Sequence, residues 1–250
     1  MWTLLKNLPN QTIKDKTMNI VYWEIKDDKV YHQGRLHKNA DVDSFEVFIN
    51  PTVQYDKHGT ILSPFFSRDK THIYWAWRKT KLDRETFEIL GYGYIKDKNA
   101  IYFKYESSIK PVKNHDFKSF VVLDNGYAYD DYQAYYYARV LKKCQNPKSL
   151  KPLGFCFAKD NQFVYWQGKE FKNIDINTVQ IMPCSKFNFI KDDKYIYYIS
   201  NKITRSDNPN WEHLHGYYSK DENFVYHMDK ILPNENPNDW DKQKAKSSPY

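Results

Sequence analysis

The chain carries a row of aspartates whose carboxylates could do general acid and base chemistry. That chemistry needs two carboxylates in different environments that converge on one bond. Here each aspartate instead begins a polar turn of Asp, Lys and Asn residues and recurs at the interval of a sequence repeat. Because Asp and Asn bond their own backbone and tolerate turn geometry, hairpin turns are the favoured interpretation. The recurring aspartates are Asp69, Asp97, Asp130, Asp160, Asp192 and Asp221.

Three histidines near the C-terminus could supply imidazoles to a metal, because alternate residues of a strand share one face. They are His213, His215 and His227. His213 lies between Trp211 and Leu214, in a repeated segment where other copies carry residues of mixed polarity, so a structural role is favoured and no metal or other cofactor is expected. The motifs GxSxG, GxGxxG and HExxH and the phosphate-binding loop are absent. The sequence therefore predicts that the protein is not an enzyme.

Tyrosines interleaved with lysines could stack bases or sugars. The chain has 250 residues with 22 tyrosines, and 18% of it is aromatic. Because tyrosines stand at matching positions in every copy, they serve first to pack the repeat. The net charge of +7 comes from Lys and Arg scattered over the repeats, so a nucleic-acid partner is disfavoured. A dispersed positive field favours an acidic protein partner or simple solubility.

The elements that position these groups are short strands. Aromatic and β-branched residues favour strands, and each repeat has an aliphatic residue directly before its tyrosine. Successive side chains of a strand point to opposite faces, so we expect one column in the core and the other against a second layer or solvent. The tyrosines are Tyr31, Tyr74, Tyr102, Tyr135, Tyr165, Tyr197 and Tyr226, and the preceding residues are Val30, Ile73, Ile101, Ala134, Val164, Ile196 and Val225.

Two further signatures complete each copy. An aromatic residue three positions before most of the acidic turns, as in Tyr94 before Asp97, indicates a strand, turn and strand. Each copy then closes with Ser, Thr or Asn followed by apolar residues at spacing i, i+3, as in Ser44-Phe45-x-x-Phe48. This signature is compatible with one capped helical turn or with a tight turn and a short strand, and the glycines that follow favour the second.

A unit of two or three short strands cannot bury its own face, so the units must pack on one another. The sequence predicts an all-β array of about seven hairpin-like repeats, as an open stack or superhelix, with a small-bladed propeller-like ring as the alternative. The predicted organisation is a lead-in over 1–21, one repeat domain over 22–240 and a polar tail over 241–250. An insertion from Asn50 to Pro64 interrupts it. The copies lie near 22–48, 65–90, 93–123, 126–153, 154–182, 187–214 and 216–240.

The cysteines and the first residues of the sequence indicate the cellular compartment that we expect for this protein. Cys144, Cys156 and Cys184 are odd in number and form no CxxC, which argues against a disulfide framework or zinc site. The first residues lack a basic start and an apolar run, and no stretch approaches the length of a membrane span. We therefore expect a cytoplasmic protein with reduced thiols and no membrane partner.

The turn and strand motifs resemble a known family. Asp97-Lys98-Asn99 with Ile101-Tyr102-Phe103, and Asp221-Glu222-Asn223 with Val225-Tyr226, are similar to the DKNYY repeat family of bacterial proteins. The resemblance covers nearly the whole chain. It implies no catalytic residues, and because members are encoded near bacterial polymorphic toxins, it implies an immunity protein whose partner is a cognate toxin domain.

Candidate binding residues are those where the repeats depart from their own consensus. After the tyrosine strand most copies turn with small or polar residues, whereas the second to fourth copies carry Trp77-Arg78, Tyr105-Glu106 and Ala138-Arg139. Trp, Tyr and Arg anchor protein interfaces, so we predict a partner-binding edge that includes Trp77, Arg78, Tyr105 and Arg139. The alternative is that these tips fold over a neighbouring unit. The predicted function is toxin neutralisation by a non-enzymatic binding protein, with a glycan- or nucleic-acid-binding module as the alternative.

Overall fold

Seven antiparallel sheets follow one another along the chain in a computed structural model that describes residues 1–15, 20–48, 66–105 and 108–248. Six of the sheets have four strands and one has five, and in each the strands are joined in chain order, apart from one added N-terminal strand. The all-β repeat architecture predicted from the sequence is confirmed. The predicted insertion, Asn50 to Pro64, lies outside the described residues.

The first three sheets lie in the N-terminal half. Sheet 1 contains β2 (Thr12–Asp15), β3 (Ile20–Lys26), β4 (Lys29–His32) and β5 (Arg35–Leu36). Sheet 2 contains β1 (Trp2–Leu4), β6 (Glu46–Phe48), β7 (Phe66–Arg68), β8 (Ile73–Trp75) and β9 (Arg78–Lys79). Sheet 3 contains β10 (Glu88–Gly91), β11 (Tyr94–Lys96), β12 (Ile101–Lys104) and β13 (Ile109–Pro111).

The remaining four sheets have the same plan. Sheet 4 contains β14 (Val121–Val122), β15 (Tyr127–Tyr129), β16 (Ala134–Tyr136) and β17 (Arg139–Val140), and sheet 5 contains β18 (Lys151–Gly154), β19 (Phe157–Lys159), β20 (Val164–Trp166) and β21 (Lys169–Phe171). Sheet 6 contains β22 (Gln180–Ile181), β23 (Phe189–Lys191), β24 (Tyr195–Tyr198) and β25 (Asn201–Arg205). Sheet 7 contains β26 (Glu212–His215), β27 (Tyr218–Lys220), β28 (Val225–His227) and β29 (Lys230–Ile231), and helix α1 (Lys242–Ser247) follows it.

Each unit has four strands, not the two or three expected. The closing signature forms a short turn and then a strand, as predicted, but that strand pairs with the following hairpin: Val42–Ser44 is a single 3-10 turn, and β6 pairs with β7. The sheets are therefore offset by one strand from the sequence repeats. Some fourth strands have only two residues, which is too few to show an alternation of apolar and polar side chains. The N-terminal β1, expected in a lead-in, pairs with β6.

Both columns of the tyrosine strand are buried in most copies. The aliphatic residue is at most 3% exposed in every copy, and the tyrosine is buried in five copies and half-buried at Tyr31 and Tyr102. Of the two environments expected for the second column, a second layer or solvent, the structure shows the second layer in most copies. Within each unit the sheets pack face to face, so that the aliphatic column of one sheet contacts the tyrosine side of the next: Val30 clusters with Tyr74, and Val164 clusters with Tyr197.

In six of the seven repeats, all but the first, the aspartate and the tyrosine are joined directly. The carboxylate of each turn aspartate is buried, accepts backbone N–H groups two and three residues on, and accepts the hydroxyl of the tyrosine five residues on. The hydroxyl-to-carboxylate distances are Tyr74–Asp69 2.6 Å, Tyr102–Asp97 3.2 Å, Tyr135–Asp130 2.7 Å, Tyr165–Asp160 2.6 Å, Tyr197–Asp192 2.7 Å and Tyr226–Asp221 2.8 Å. The aspartates are structural, as their turn chemistry indicated.

The chain divides into two compact units, Met1–Val122 and Leu123–Tyr250. In the first unit, sheet 2 packs on sheet 1 through Tyr74 and on sheet 3 through Ile73 and Ile95. In the second unit, the aliphatic face of sheet 7 is covered by Trp240 and by Ala245 of α1. The tail expected outside the core thus contributes a buried helix residue.

Two further features concern the state of the three cysteines and the length of the helices. Cys144, Cys156 and Cys184 are free and buried. In the described part of the chain, no helix has the length and apolar character that crossing a bilayer requires.

Two Gln-Gly turns with the same backbone geometry provide a test of how tightly the sheets pack. Gly34 and Gly168 both have positive φ, +73° and +74°, but a Cβ at Gly168 would lie 2.7 Å from the Tyr136 Cβ, whereas none of the described atoms lies within 4 Å of one at Gly34. Gly34→Ala should cost about 1 kcal/mol through φ alone, and Gly168→Ala about 2–3 kcal/mol because Tyr136 must move. Denaturant unfolding measures both, and equal costs would contradict the packing between sheets 4 and 5.

Candidate functional site

The candidate site lies at one end of the sheets, which we call the tip end. In an antiparallel meander of four strands, the connections between first and second strands and between third and fourth strands lie at the same end. The aspartate turns, between second and third strands, lie at the other end. Several third-to-fourth connections are two-residue turns that begin with positive φ, as at Gln33 and Ala76. Such tight turns present the flanking side chains of the third and fourth strands.

Charges are distributed differently at the two ends. At the aspartate end, lysines of the turns pair with carboxylates: Lys70 with Asp41 at 2.6 Å and Lys98 with Asp83 at 2.8 Å. At the tip end of the first unit, Arg35, Lys79 and Lys110 have no carboxylate within 4.0 Å among the described residues, and neither does Lys81, which lies further along the chain toward the aspartate end. The tip end therefore carries cations that no described carboxylate neutralises.

Trp77 is both exposed and packed. Its side chain is 38% exposed. The Arg35 guanidinium lies 4.7 Å and the Arg78 guanidinium 5.7 Å from the centre of its ring, and the His32 ring lies 6.0 Å away. Since Arg35 and His32 belong to sheet 1, the tip of sheet 2 folds over its neighbour while leaving part of the indole accessible. The alternative, that this tip folds over a neighbouring unit, is thus observed for Trp77, and its role in partner binding stays a prediction.

Tyr105, at the end of β12, is 37% exposed. Its ring makes an edge contact with Phe103 at 4.9 Å, and the Lys110 ammonium lies 5.9 Å from its centre. The adjacent Glu106 lies outside the described residues. Tyr105 is thus a second partly exposed aromatic with a cation beside it in the first unit.

Arg78 and Arg139 are exposed and open the fourth strands of their sheets. Arg78 lies beside Trp77 in the first unit, whereas Arg139 belongs to the second unit. The structure therefore places three of the four predicted binding residues in one unit. The other five sheets also have a cation as the first or second residue of their fourth strand. These residues are Arg35, Lys110, Lys169, Lys202 and Lys230. Basic residues on edge strands discourage pairing with another sheet, which is their structural role.

Two cavities flank the fourth strand of sheet 2. One, of about 290 Å³, lies between sheets 1 and 2 and is lined by Arg35, Trp77 and Lys79. The other, of about 270 Å³, lies between sheets 2 and 3 and is lined by Arg78, Lys79 and Lys81. We call Arg35, Trp77, Arg78, Lys79 and Lys81 the basic edge. Its cavities are smaller than typical small-molecule sites and are of a size for protruding side chains of a partner.

Two buried histidines lie beneath the basic edge. His32 packs against Trp23 at 4.4 Å and His37 packs against Tyr74 at 4.5 Å. Burial, with the nearby His37 second, lowers the pKa of His32 to about 4. Burial also lowers the pKa of His37, although the charge of Asp69 opposes it. Both rings are therefore neutral near pH 7, and the positive charge of this surface comes from Arg and Lys.

The three C-terminal histidines do not converge on one point. In register, His215 faces Tyr218, which faces His227, so that a tyrosine stands between these two imidazoles. The Nε2 atom of His213 lies 2.9 Å from the Gly216 carbonyl oxygen. Across the described ranges there is no group of three or more His, Cys, Asp or Glu side chains that could hold a metal.

Sequence reasoning missed part of the basic edge. Arg35, Lys79 and Lys81 stand in or beside fourth strands that the repeat alignment did not resolve as strands. The signal was present, because a basic residue follows the tip turn in most copies. What the sequence does not contain is that Arg35 of one sheet lies over Trp77 of the next.

Comparison with known proteins gives one similarity. The DKNYY family model matches residues 66–183 and 144–250. No curated protein and no solved structure matches the chain.

Proposed function

The chain belongs to the DKNYY family, and from that premise we propose that it is a non-enzymatic immunity protein that binds and neutralises a bacterial toxin domain. The observation that carries the proposal is the basic edge. It combines a partly exposed tryptophan with several cations, and two of its lysines have no described carboxylate partner. Buried aromatic and Arg anchors dominate binding energy at protein interfaces.

The chemistry of the basic edge supports an acidic partner surface. Lys79 lines both cavities, so a carboxylate inserted into either one would meet a cation. Trp77 provides apolar area between them. Charge complementarity of this kind raises the rate of association and fixes the orientation of the partner. Tyr105 extends this surface within the first unit, and Arg139 is proposed as a separate contact from the second unit.

The alternative, a glycan- or nucleic-acid-binding module, requires a free aromatic face. The Arg35 guanidinium lies 4.7 Å from the centre of the Trp77 ring, so a cation already occupies the space over the ring that a base or sugar would need. This contact favours the protein-binding proposal. Titration with single-stranded oligonucleotides and with glycan arrays at physiological salt tests the alternative directly.

The test of the immunity proposal is neutralisation. The chain is expressed together with toxin domains encoded beside its gene, and growth and complex formation are measured. We expect restored growth and a stable complex whose affinity falls with added salt. Growth inhibition that persists with every such toxin, with no complex by size-exclusion chromatography, would refute the proposal.

The position of the interface is tested by charge reversal. Arg78→Glu with Lys79→Glu should weaken toxin binding at least tenfold, about 1.4 kcal/mol or more, because both residues are exposed and line the cavities. Lys169→Glu, a matched change at the first residue of the fourth strand of sheet 5, should change binding less than twofold. Equal losses for the two variants would place the interface elsewhere. An unchanged thermal midpoint shows that the fold survives.

A further inference from the structure

A larger cavity lies within the second unit, between sheets 6 and 7. Its volume is about 660 Å³, against about 270 and 290 Å³ for the two cavities at the basic edge. Small-molecule sites commonly span roughly 300–1,000 Å³, so this cavity alone of the three falls well inside the range.

The walls of this cavity are apolar and flat. The 3-10 turn Pro183–Phe187 contributes Phe187, strand β26 contributes His213, and Trp211 directly precedes that strand. The His213 ring stacks on Phe187, with centres 5.5 Å apart and planes 20° apart. Because burial lowers the pKa of His213, although its hydrogen bond to Gly216 opposes this, the ring is neutral and acts as part of an apolar surface. Flat walls of this kind favour a flat ligand.

The charge around the cavity is positive. Lys186, Lys191 and Lys242 line it, and the described lining residues include no carboxylate. Lys242 has one distant acidic neighbour, Glu212, at 3.9 Å, and both side chains are largely exposed. The Lys186 ammonium lies 5.0 Å from the centre of the Phe187 ring, at the apolar wall itself. An anionic group would therefore meet cations beside the apolar surface.

The indole of Trp211 contributes apolar ring surface to the wall. Its Nε1 atom is shielded from solvent, so a ligand in the cavity does not reach this donor.

We propose that this cavity binds a small anionic molecule with a flat apolar body, of the class of aromatic carboxylates. The body packs against Phe187, His213 and Trp211, and the carboxylate lies toward Lys186 and its neighbouring lysines. The proposal does not rest on the basic edge, whose residues lie in the first unit, or on the proposed immunity function.

The proposal is tested with 1-naphthoate as the probe and isothermal titration calorimetry on the full chain. We expect saturable binding of one molecule per chain, at least tenfold weaker binding of the neutral analogue 1-naphthalenemethanol, and weakening by salt. Lys186→Glu should weaken naphthoate binding at least tenfold. The matched control is Lys202→Glu, since Lys202 is also an exposed lysine of sheet 6 whose ammonium lies over an aromatic ring, that of Tyr195, at 3.8 Å.

Any one of three results would overturn the proposal. These results are a lack of saturation at millimolar naphthoate, an equal affinity for the neutral analogue, and equal losses of naphthoate binding in the two lysine variants. Because both lysines are exposed, both variants should keep the thermal midpoint of the natural protein, which circular dichroism checks. Loss of naphthoate binding in Phe187→Ala, with the fold retained, would further support the apolar wall.

Discussion

Replacing Asp192 by alanine should lower the free energy of unfolding by about 4 kcal/mol, because a buried donor left without a partner costs roughly 1–3 kcal/mol. Its carboxylate accepts four hydrogen bonds, from the N–H groups of Lys194, Tyr195 and Asp175 and from the Tyr197 hydroxyl, all between 2.7 and 3.0 Å. The Asp175 bond joins the turn to the connection that precedes sheet 6. Removal of the carboxylate therefore releases both the turn and the connection.

The control for this prediction is the next residue. Asp193 is exposed, and among the described residues its carboxylate accepts a hydrogen bond only from the Thr178 hydroxyl, at 3.1 Å. Asp193→Ala should therefore cost less than about 1 kcal/mol, as surface substitutions usually do. Urea unfolding followed by circular dichroism measures both. If the two alanine variants lost stability equally, the aspartate and tyrosine pair would not be the structural element described here.

The pKa of Asp192 agrees with this role. Burial alone would raise the pKa of this carboxyl, but the hydrogen bonds from Asp175, Tyr197, Tyr195 and Lys194 outweigh burial and lower it. A carboxylate with a lowered pKa stabilises the fold above its ordinary pKa and loses that contribution as the pH falls through the lowered value. The loss of stability that comes from protonation of Asp192 is therefore expected below about pH 4.

Acidification between pH 6.5 and 4 should destabilise the first unit through a different group. His32 has its pKa lowered from 6.5 to about 4 by burial and by His37. Between those values the unfolded chain binds a proton that the folded chain does not, so stability falls as the pH falls. At pH 4.5 the loss from His32 alone should be about 2 kcal/mol relative to pH 7, since one pKa unit corresponds to about 1.4 kcal/mol.

Substitution of His32 separates this effect from other acid effects. His32→Phe keeps an aromatic ring against Trp23. At pH 4.5 this variant should retain about 2 kcal/mol of unfolding free energy that the natural sequence loses relative to pH 7. The control His215→Phe changes an exposed histidine and should leave the profile unaltered. The measurement is the denaturation midpoint from pH 4.5 to 7.5. A profile for His32→Phe that is parallel to that of the natural protein would rule out His32 as the source.

The repeat in the sequence was sufficient to predict the all-β array, the aspartate turns and the central hairpins. Those features depend on neighbouring residues, since Asp97 contacts groups two, three and five positions on. Several fourth strands have only two residues. Such a segment shows no alternation of apolar and polar side chains and is a strand only because it pairs with the third strand, so it was not predictable. Nor was the pairing of β1 with β6, which depends on contacts distant in sequence.

One part of the candidate site was also predictable from the sequence, and another part was not. Trp77 and Arg78 were identified because they interrupt the repeat, which is a local property. The stacking of Arg35 on Trp77 and the cavities beside Lys79 depend on how one sheet packs on the next, which the alternation of side chains does not specify. The cavity between sheets 6 and 7 was missed for the same reason: Trp211 and His213 come from β26 and the residue before it, whereas Phe187 comes from a turn in sheet 6.

Trp240 has a consequence for how proteins of this kind can change in length. It packs with Val225, in the aliphatic column of sheet 7. Its counterparts Phe45, Phe87 and Trp211 belong to the same clusters as the aliphatic residues of sheets 1, 2 and 6. Each repeat therefore carries its own apolar cover for its aliphatic column. A whole repeat could be duplicated or lost together with that cover, so the number of sheets is free to vary.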